Sequence, residues 1–265
     1  MINFFRKIRK KYANDNRPIK YFRYAIGEIV LVVIGILIAL QVNNWNVNRL
    51  NLKIEKQLIN AINEKMKYNN FQYEMGYTRY NEVIEAAREL IILSNTFDSL
   101  PSPKKLDYLM HNLTKRFLLG KSNETSIYDE MIGSGQLSLL SSIELRKNLT
   151  ALKANLELLA SYEEIQNNFV DFQLNPYLNK YVDKISIASN GYSTDKTDYD
   201  KQFVNAFSNL GTNNTVTMYS EFITDKEFKN LLVDLIYYTQ TLIPIYNRIQ
   251  ENIKIIESLT MNINK

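Results

Sequence analysis

The sequence predicts an all-α protein: an N-terminal transmembrane helix followed by a long-helix bundle with a coiled-coil-like C-terminal helix. Three observations carry this expectation. Ile29–Leu40 is an unbroken apolar run. Glycine (8) and proline (5) are scarce in 265 residues, and apolar residues recur at helical spacing. Phe228, Leu235, Leu242, Ile249, Ile256 and Ile263 stand seven apart without a gap. The expected organisation is a basic leader (1–20), a membrane helix (21–44) and a helical-bundle domain (45–265).

The leader is the most charged part of the chain. Residues 1–24 carry eight Lys/Arg and one acid, a net +7, and the remainder is −3. The basic balance therefore belongs to the leader alone. Met1, Phe5, Ile8 and Tyr12 share one helical face, while Arg6, Lys7, Lys10 and Lys11 occupy others. That pattern suits a segment lying on an anionic membrane surface. Interleaved aromatic and basic residues also occur in nucleic-acid binders. A leader tethered next to a membrane helix has lipid phosphates at hand, so lipid is the expected partner and nucleic acid is not. Asn14-Asp15-Asn16 followed by Pro18 reads as the start of the membrane helix.

A hydrocarbon core needs roughly 20 helical residues, and Tyr21–Val42 supplies them. The ten Ile, Val and Leu residues of Ile29–Leu40 favour insertion by about 3–6 kcal/mol. Glu28 opposes it by less than the roughly 2.5–3.5 kcal/mol of a central acid, because it lies toward the interface. Eight Lys/Arg precede the run, whereas only Arg49, Lys53 and Lys56 fall in the twenty residues after Leu40. The positive-inside rule then puts the N-terminus in the cytoplasm and the main domain in the periplasm. Trp45 falls at the outer interface, where an indole buries its ring and keeps its N–H wet. A cleaved signal peptide is the competing reading, but the basic region is too long and Ile38-Ala39-Leu40 is a poor cleavage site. With no cysteine, neither a lipoprotein anchor nor a disulfide can form.

The strings FFRKIRKK (Phe4–Lys11) and YAIGEIVLVVIGILIALQVNNWN (Tyr24–Asn46) resemble an uncharacterised family of single-span inner-membrane proteins of Gram-negative bacteria, known as a domain of unknown function. YDEMIGSGQLSLLSSIELRKNL (Tyr128–Leu149) is similar, less specifically, to a stretch in the same proteins. Val47 stands where members often carry an acid. The resemblance implies an inner-membrane anchor and a helical outer domain, and brings no activity or substrate with it.

About 220 residues follow the anchor, enough for one domain with a sizeable core. The first outer helix continues from the membrane, with stripes at Leu50, Ile54, Leu58, Ile62 and Met66 and at Tyr73, Tyr77, Tyr80, Ile84, Ala87 and Ile91. Asn69-Asn70 and Gly76 are expected to bend it. Ser102-Pro103 opens a helix through about Leu118, with proline at the first position. Thr125–Ile132 reads as a short helix ended by Gly133 and Gly135. A long helix from about Ser142 to Gln173 is capped by Ser141-x-x-Glu144, with a stripe at Leu145, Leu149, Leu152, Leu156, Leu159, Tyr162, Phe169 and Phe172. Pro176 interrupts it. Residues 189–201 read as a polar loop and 215–222 as a short extended segment. The last helix starts at a Thr224-x-x-Glu227 capping box, and Pro244 is expected to kink it. Leu232, Tyr246 and Ile253 fill its second heptad position, which Thr239 and Thr260 weaken. First and last helices should run antiparallel.

Little in the sequence points to chemistry. One histidine and no cysteine leave no zinc site of the Cys/His type. A carboxylate-bridged di-iron bundle needs two Glu-x-x-His motifs, and Tyr108 stands three residues before His111. His111 reads as a partly exposed helix residue. Gly133-Ser134-Gly135 reads as a helix end rather than a phosphate cradle. Asp195, Asp198 and Asp200 lack the regular oxygens and distal glutamate of an EF-hand. No metal site and no cofactor is expected. Tyr73, Tyr77, Tyr80, Tyr237, Tyr238 and Tyr246 form either core packing or the lining of an apolar ligand cleft.

Glu28, Leu31, Gly35 and Ala39 lie along one side of the membrane helix, and Gly35-x-x-x-Ala39 lets another helix approach closely. That side is expected to pack on a second copy or on another membrane protein. The function expected is a membrane-anchored, non-enzymatic periplasmic interaction or scaffold protein of the bacterial envelope. The alternatives are a helical-bundle sensor holding a small molecule among the tyrosines and, less favoured, an enzyme with paired carboxylates.

Overall fold

The computed structural model describes residues 18–96, 100–122, 130–131, 133–191, 205–207, 210 and 213–263. Every regular element among them is helical. The chain divides into two units, Met1–Gln57 and Leu58–Lys265. Helix α1 (Pro18–Thr96) contributes residues to both. After it come α2 (Pro103–Leu113), α3 (Leu119–Ser122), a 3-10 turn (Gln136–Leu139), α4 (Ile143–Phe169) and a π turn (Val170–Leu174). The order closes with α5 (Asn175–Leu178), α6 (Lys184–Gly191), α7 (Val216–Ser220) and α8 (Lys226–Ile263).

In the first unit, Pro18 takes the first helical position, where its missing N–H has no partner to lose. Ile29–Leu40 is exposed around the whole circumference of the helix. Among the described residues, one helix is long and apolar enough to cross a membrane, and none of its apolar window is buried. Covering each Ile, Val or Leu is worth about 1.5–3 kcal/mol. A run left bare on every face is the pattern of a segment whose solvent is hydrocarbon.

In the second unit, α1, α4 and α8 carry the longest buried stripes of a core to which α2, α5, α6 and α7 also contribute. The buried positions of α8 step by four and three: Phe228, Leu232, Leu235, Thr239, Leu242, Tyr246, Ile249, Ile253, Ile256 and Thr260. Both threonines that weaken the seam in the sequence are fully buried in it. On α1 the same rhythm runs through Ile59, Ile62 and Met66, then Tyr73, Gly76, Tyr80, Val83, Ala87, Leu90 and Ser94. On α4 it runs through Leu145, Leu149, Leu152, Leu156, Leu159, Glu163, Gln166 and Val170. Three seven-residue repeats thus face one another.

Cross-helix contacts fix the directions. Thr260 hydrogen-bonds Asn63, Tyr246 stacks on Tyr77 at 5.1 Å, and Lys229 donates to Asn95 at 3.4 Å. The residue number falls on α8 as it rises on α1, so these two helices are antiparallel. Asn155 bonds Asn252 at 2.7 Å and Phe169 meets Tyr238 at 5.1 Å, so α4 is antiparallel to α8 as well. Helices α1 and α4 are therefore parallel to each other.

Several local expectations are corrected. On α1, Ile62, Met66, Tyr73, Tyr80, Ile84 and Ala87 are buried as expected, but Leu50 is exposed, Ile54, Leu58 and Ile91 are half-buried, and Tyr77 yields its seam place to Gly76. Helix α1 runs unbroken through Asn69, Asn70 and Gly76. On α4, Tyr162 and Phe172 (76% exposed) face outward, and Glu163 and Gln166 take the seam. The cap of α4 is Ser142, whose hydroxyl accepts from Leu145 N–H at 3.1 Å, not Ser141. The cap of α8 is Asp225, which accepts from Glu227 N–H at 3.0 Å, not Thr224. Residues 216–220 form α7 instead of an extended segment, because the Thr215 hydroxyl accepts from Met218 N–H at the N-terminus of a helical turn.

Helix α2 begins as expected with Ser102 as cap and Pro103 at the first position, but it ends at Leu113 rather than Leu118. Pro176 does not end α4 abruptly. A π turn precedes it, in which Asn175 N–H reaches the Val170 carbonyl, and α5 continues through the proline. The wider turn relieves the clash a proline ring makes with the carbonyl four residues back. Helix α8 also continues through Pro244, which is exposed. Residues 189–191 close α6, and the remainder of the expected polar loop lies outside the described residues, as does most of the short helix at 125–132.

Candidate functional site

Three carboxylates are buried among the described residues, Glu55, Asp107 and Glu163, and the last two each organise a site in the second unit. The first site centres on Glu163, one turn past Leu159 on the seam of α4 and only 1% exposed. Its Oε1 accepts from the Tyr80 hydroxyl of α1 at 2.9 Å and from Leu119 N–H at 3.0 Å. Its Oε2 accepts from Gly120 N–H at 2.8 Å. One turn further along, the Asn167 amide clamps Phe117, accepting from its N–H at 2.9 Å and donating to its carbonyl at 2.6 Å. The chain leaves the helix at Leu113 because α4 offers its backbone these partners.

The strap Phe117–Gly120 is seated by absent side chains as much as by polar ones. A Cβ on Gly120 would lie 2.3 Å from the backbone nitrogen of Ala160. A Cβ on Gly76 would lie 1.9 Å from Leu119 Cδ1. Gly76 is thus a point of close approach for the strap. Around it, Lys115 pairs with Glu82 (2.5 Å), Arg116 with Asp171 (2.9 Å) and Lys121 with Glu164 (2.8 Å).

Burial raises the pKa of Glu163, and the donors from Gly120, Tyr80 and Leu119, with the more distant charge of Lys121, pull it back only in part. The Tyr80 phenol is pushed far up, first by burial and then by Glu163, so it stays a donor. Gln166, the next seam residue, is fully buried, and neither its amide oxygen nor its amide nitrogen has a hydrogen-bond partner.

The second site centres on Asp107 of α2. Oδ1 accepts from Tyr219 O–H at 2.5 Å and from Asn214 at 2.7 Å, and Oδ2 accepts from Ser186 O–H and Asn190, each at 2.8 Å. Asn214 in turn accepts from Asp183 N–H at 2.7 Å and gives its own backbone N–H to Ser186 at 2.9 Å. One carboxylate thereby ties α2, α6, the 213–215 segment and α7 together. His111 is half-buried one turn along α2, and its ring occupies the space where a Cβ on Gly191 would sit.

Of the tyrosines singled out in the sequence, Tyr73, Tyr77, Tyr80 and Tyr246 come together. Tyr246 stacks on Tyr77 and meets Tyr73 and Tyr80 edge-on at 6.0 and 6.1 Å. Tyr73 and Tyr80 are fully buried, and Phe117 of the strap closes on Tyr80 at 4.5 Å. The Tyr246 phenol is pushed up to about 12, by burial foremost. Tyr237 stands apart, nine residues away on α8 and 65% exposed, with its ring against Tyr238.

Of the residues expected on the packing side of the apolar helix, Leu31, Gly35 and Ala39 are exposed and Glu28 is half-buried, while Gly35 has open space around it. Trp45 is exposed, with the Arg49 guanidinium 5.7 Å over its ring. Arg6, Lys7, Lys10 and Lys11 lie outside the described residues, as do Asp195, Asp198 and Asp200. Gly135 adopts a left-handed φ of 72°, and Ser134 N–H returns to the Glu130 carbonyl at 2.8 Å, the geometry of a helix end. Among the described residues, no group of three or more His, Asp or Glu is placed to hold a metal.

The chain matches no family model, no curated protein and no solved structure.

Proposed function

We propose that this chain is a membrane-anchored interaction or scaffold protein of the bacterial envelope, without enzymatic activity, its N-terminus cytoplasmic and its bundle periplasmic. The single observation that carries the reading is the bare apolar run Ile29–Leu40, uncovered on every face. The excess of Lys/Arg before that run over those after it supports the orientation. Glu163 and Asp107, the buried acids of the bundle, spend their oxygens on the protein's own donors.

The reading assigns the partner surface to the outer face of α4. Leu158 and Ile165 of α4 and Phe172 of the π turn that follows stand seven apart in sequence and remain exposed. A row of that spacing is what a helix of a protein partner packs against. In the membrane, Glu28, Leu31, Gly35 and Ala39 form the side for a second copy or another single-span protein, and the basic leader rests on lipid headgroups.

Protease added to intact spheroplasts tests the topology: the bundle should be cleaved while a tag at the N-terminus stays protected, and the reverse pattern overturns the reading. Phe172→Glu with Ile165→Glu should abolish recovery of a stoichiometric protein from detergent extracts while leaving the helical content unchanged.

A further inference from the structure

Glu163 presents a geometric puzzle. Three donors converge on its carboxyl group, which suits a carboxylate, yet it lies on a bundle seam where an uncompensated charge is costly. Lys115, Arg116 and Lys121, the cations of the adjoining segment, are engaged with Glu82, Asp171 and Glu164. From α1 it is the Tyr80 phenol that meets the carboxyl group, with Tyr246 of α8 edge-on against Tyr80 and Tyr73 against Tyr246 behind it. The remaining polar feature on the same seam is Gln166, three residues along α4. Side chains at that spacing lie on one helix face within reach of each other, and both amide atoms of Gln166 are buried without a partner.

We propose that the Glu163 carboxyl is a proton-operated latch on the Phe117–Gly120 strap. In the closed state the group is the neutral acid. Oε1 accepts from Tyr80 and Leu119, Oε2 accepts from Gly120, and the acid proton is given to the amide oxygen of Gln166. This arrangement supplies the orphan amide oxygen with its donor, since a buried polar atom left unmade costs about 1–3 kcal/mol. When the proton leaves to water, the seam holds a charge that three neutral donors meet but no cation pairs with directly. Hydrating that charge requires the strap to lift from α4. The upward direction of the Glu163 pKa agrees with this order of events. A site that holds its proton more tightly when closed is closed by protonation and opened as pH rises.

The test is hydrogen exchange by mass spectrometry on the full chain in detergent micelles, following the peptide that carries Leu119 and Gly120. Rates are corrected for the intrinsic pH dependence of exchange. Protection should fall about tenfold or more as pH is raised from about 5 to about 8, spanning a carboxyl raised from its usual range. Carbon-13 labelling of the glutamate carboxyls should show Glu163 titrating above the ordinary glutamate range, with the signal assigned by its loss in Glu163→Gln. In that variant the pH dependence of the strap should vanish. Gln166→Leu removes the proton acceptor and an unsatisfied amide together, so the fold should hold while the midpoint moves to lower pH. Flat protection in the native protein, an ordinary or lowered Glu163 titration, or a midpoint unmoved by Gln166→Leu would each overturn the latch.

Discussion

Asp107 and Glu163 are both buried acids, and the contrast between them shows two ways of keeping a carboxyl group inside a helical bundle. Asp107 is met by four side-chain donors drawn from α6, the 213–215 segment and α7. Each donor is held by its own element, so the carboxylate acts as a rivet between them. Glu163 is met by the Tyr80 hydroxyl and by the backbone N–H groups of Leu119 and Gly120, which open α3. Its partners are mostly the backbone of one short segment, whereas those of Asp107 are side chains on separate elements. A buried acid tied to side chains of several elements welds them, and one tied to a single segment's backbone holds that segment alone.

The most forceful way to break the comparison is Asp107→Ala. Four donors would lose their acceptor in a fully buried site, and we expect a loss of about 3–5 kcal/mol in urea unfolding. A loss below about 1 kcal/mol would remove the rivet. Gly120→Ala attacks the other carboxyl through its strap, since the new methyl meets α4 backbone. Overpacking of this kind costs about 1–3 kcal/mol, and exchange should rise in residues 115–122 far more than in α8. Tyr80→Phe takes one donor from Glu163 and should cost about 1 kcal/mol.

The pH profile sharpens the contrast at smaller amplitude. Glu163 holds its proton more tightly folded than unfolded. Its contribution to stability is therefore full below the unfolded value of about 4.5 and is lost as pH rises through the higher folded value. Stability measured by urea midpoint should decline over that window in the native protein and lose this component in Glu163→Gln. The smallest effect is expected at Thr239, whose buried hydroxyl has no partner on the seam of α8, unlike that of Thr260. Thr239→Val should raise stability by about 1 kcal/mol or less, read as an upward shift of the same midpoint.

How far the sequence discloses this molecule depends on which residue carries each seam position. Helix α8 was legible because apolar side chains occupy all but two of its places. On α4 an unbroken count of four and three from Leu145 to Leu159 lands on Glu163 and Gln166, but apolarity pulls the eye to Tyr162 and Phe172 beside them. On α1 the seam passes through Gly76, which offers no hydrophobic signal, and Tyr77 next to it takes the attention. The strap site is built from positions of this kind: Gly76, Gly120, Glu163 and Asn167 are small or polar where a core residue is expected. Counting the repeat through polar residues would have found Glu163. Nothing local announces that Leu119 and Gly120, more than forty residues earlier, supply its partners. The bare run Ile29–Leu40 lies at the other extreme, since its composition alone marks it.

The π turn at Val170–Leu174 carries a consequence for how this bundle tolerates lesions. Along α4 the inward places alternate until Val170, and the next is Leu174, so two steps of four occur in succession. The turn is a slack link that absorbs one surplus residue, leaving Phe172 dangling outside while Leu174 and Leu178 stay in phase with the core. Excising Phe172 would take up that slack and leave an ordinary α-helix. The same excision at Leu156 would spin everything beyond it by about 100° and throw the inner side chains outward. Length in this helix is thus forgiving at a single place, beside the kink-prone Pro176 and nowhere along its leucine-rich stem.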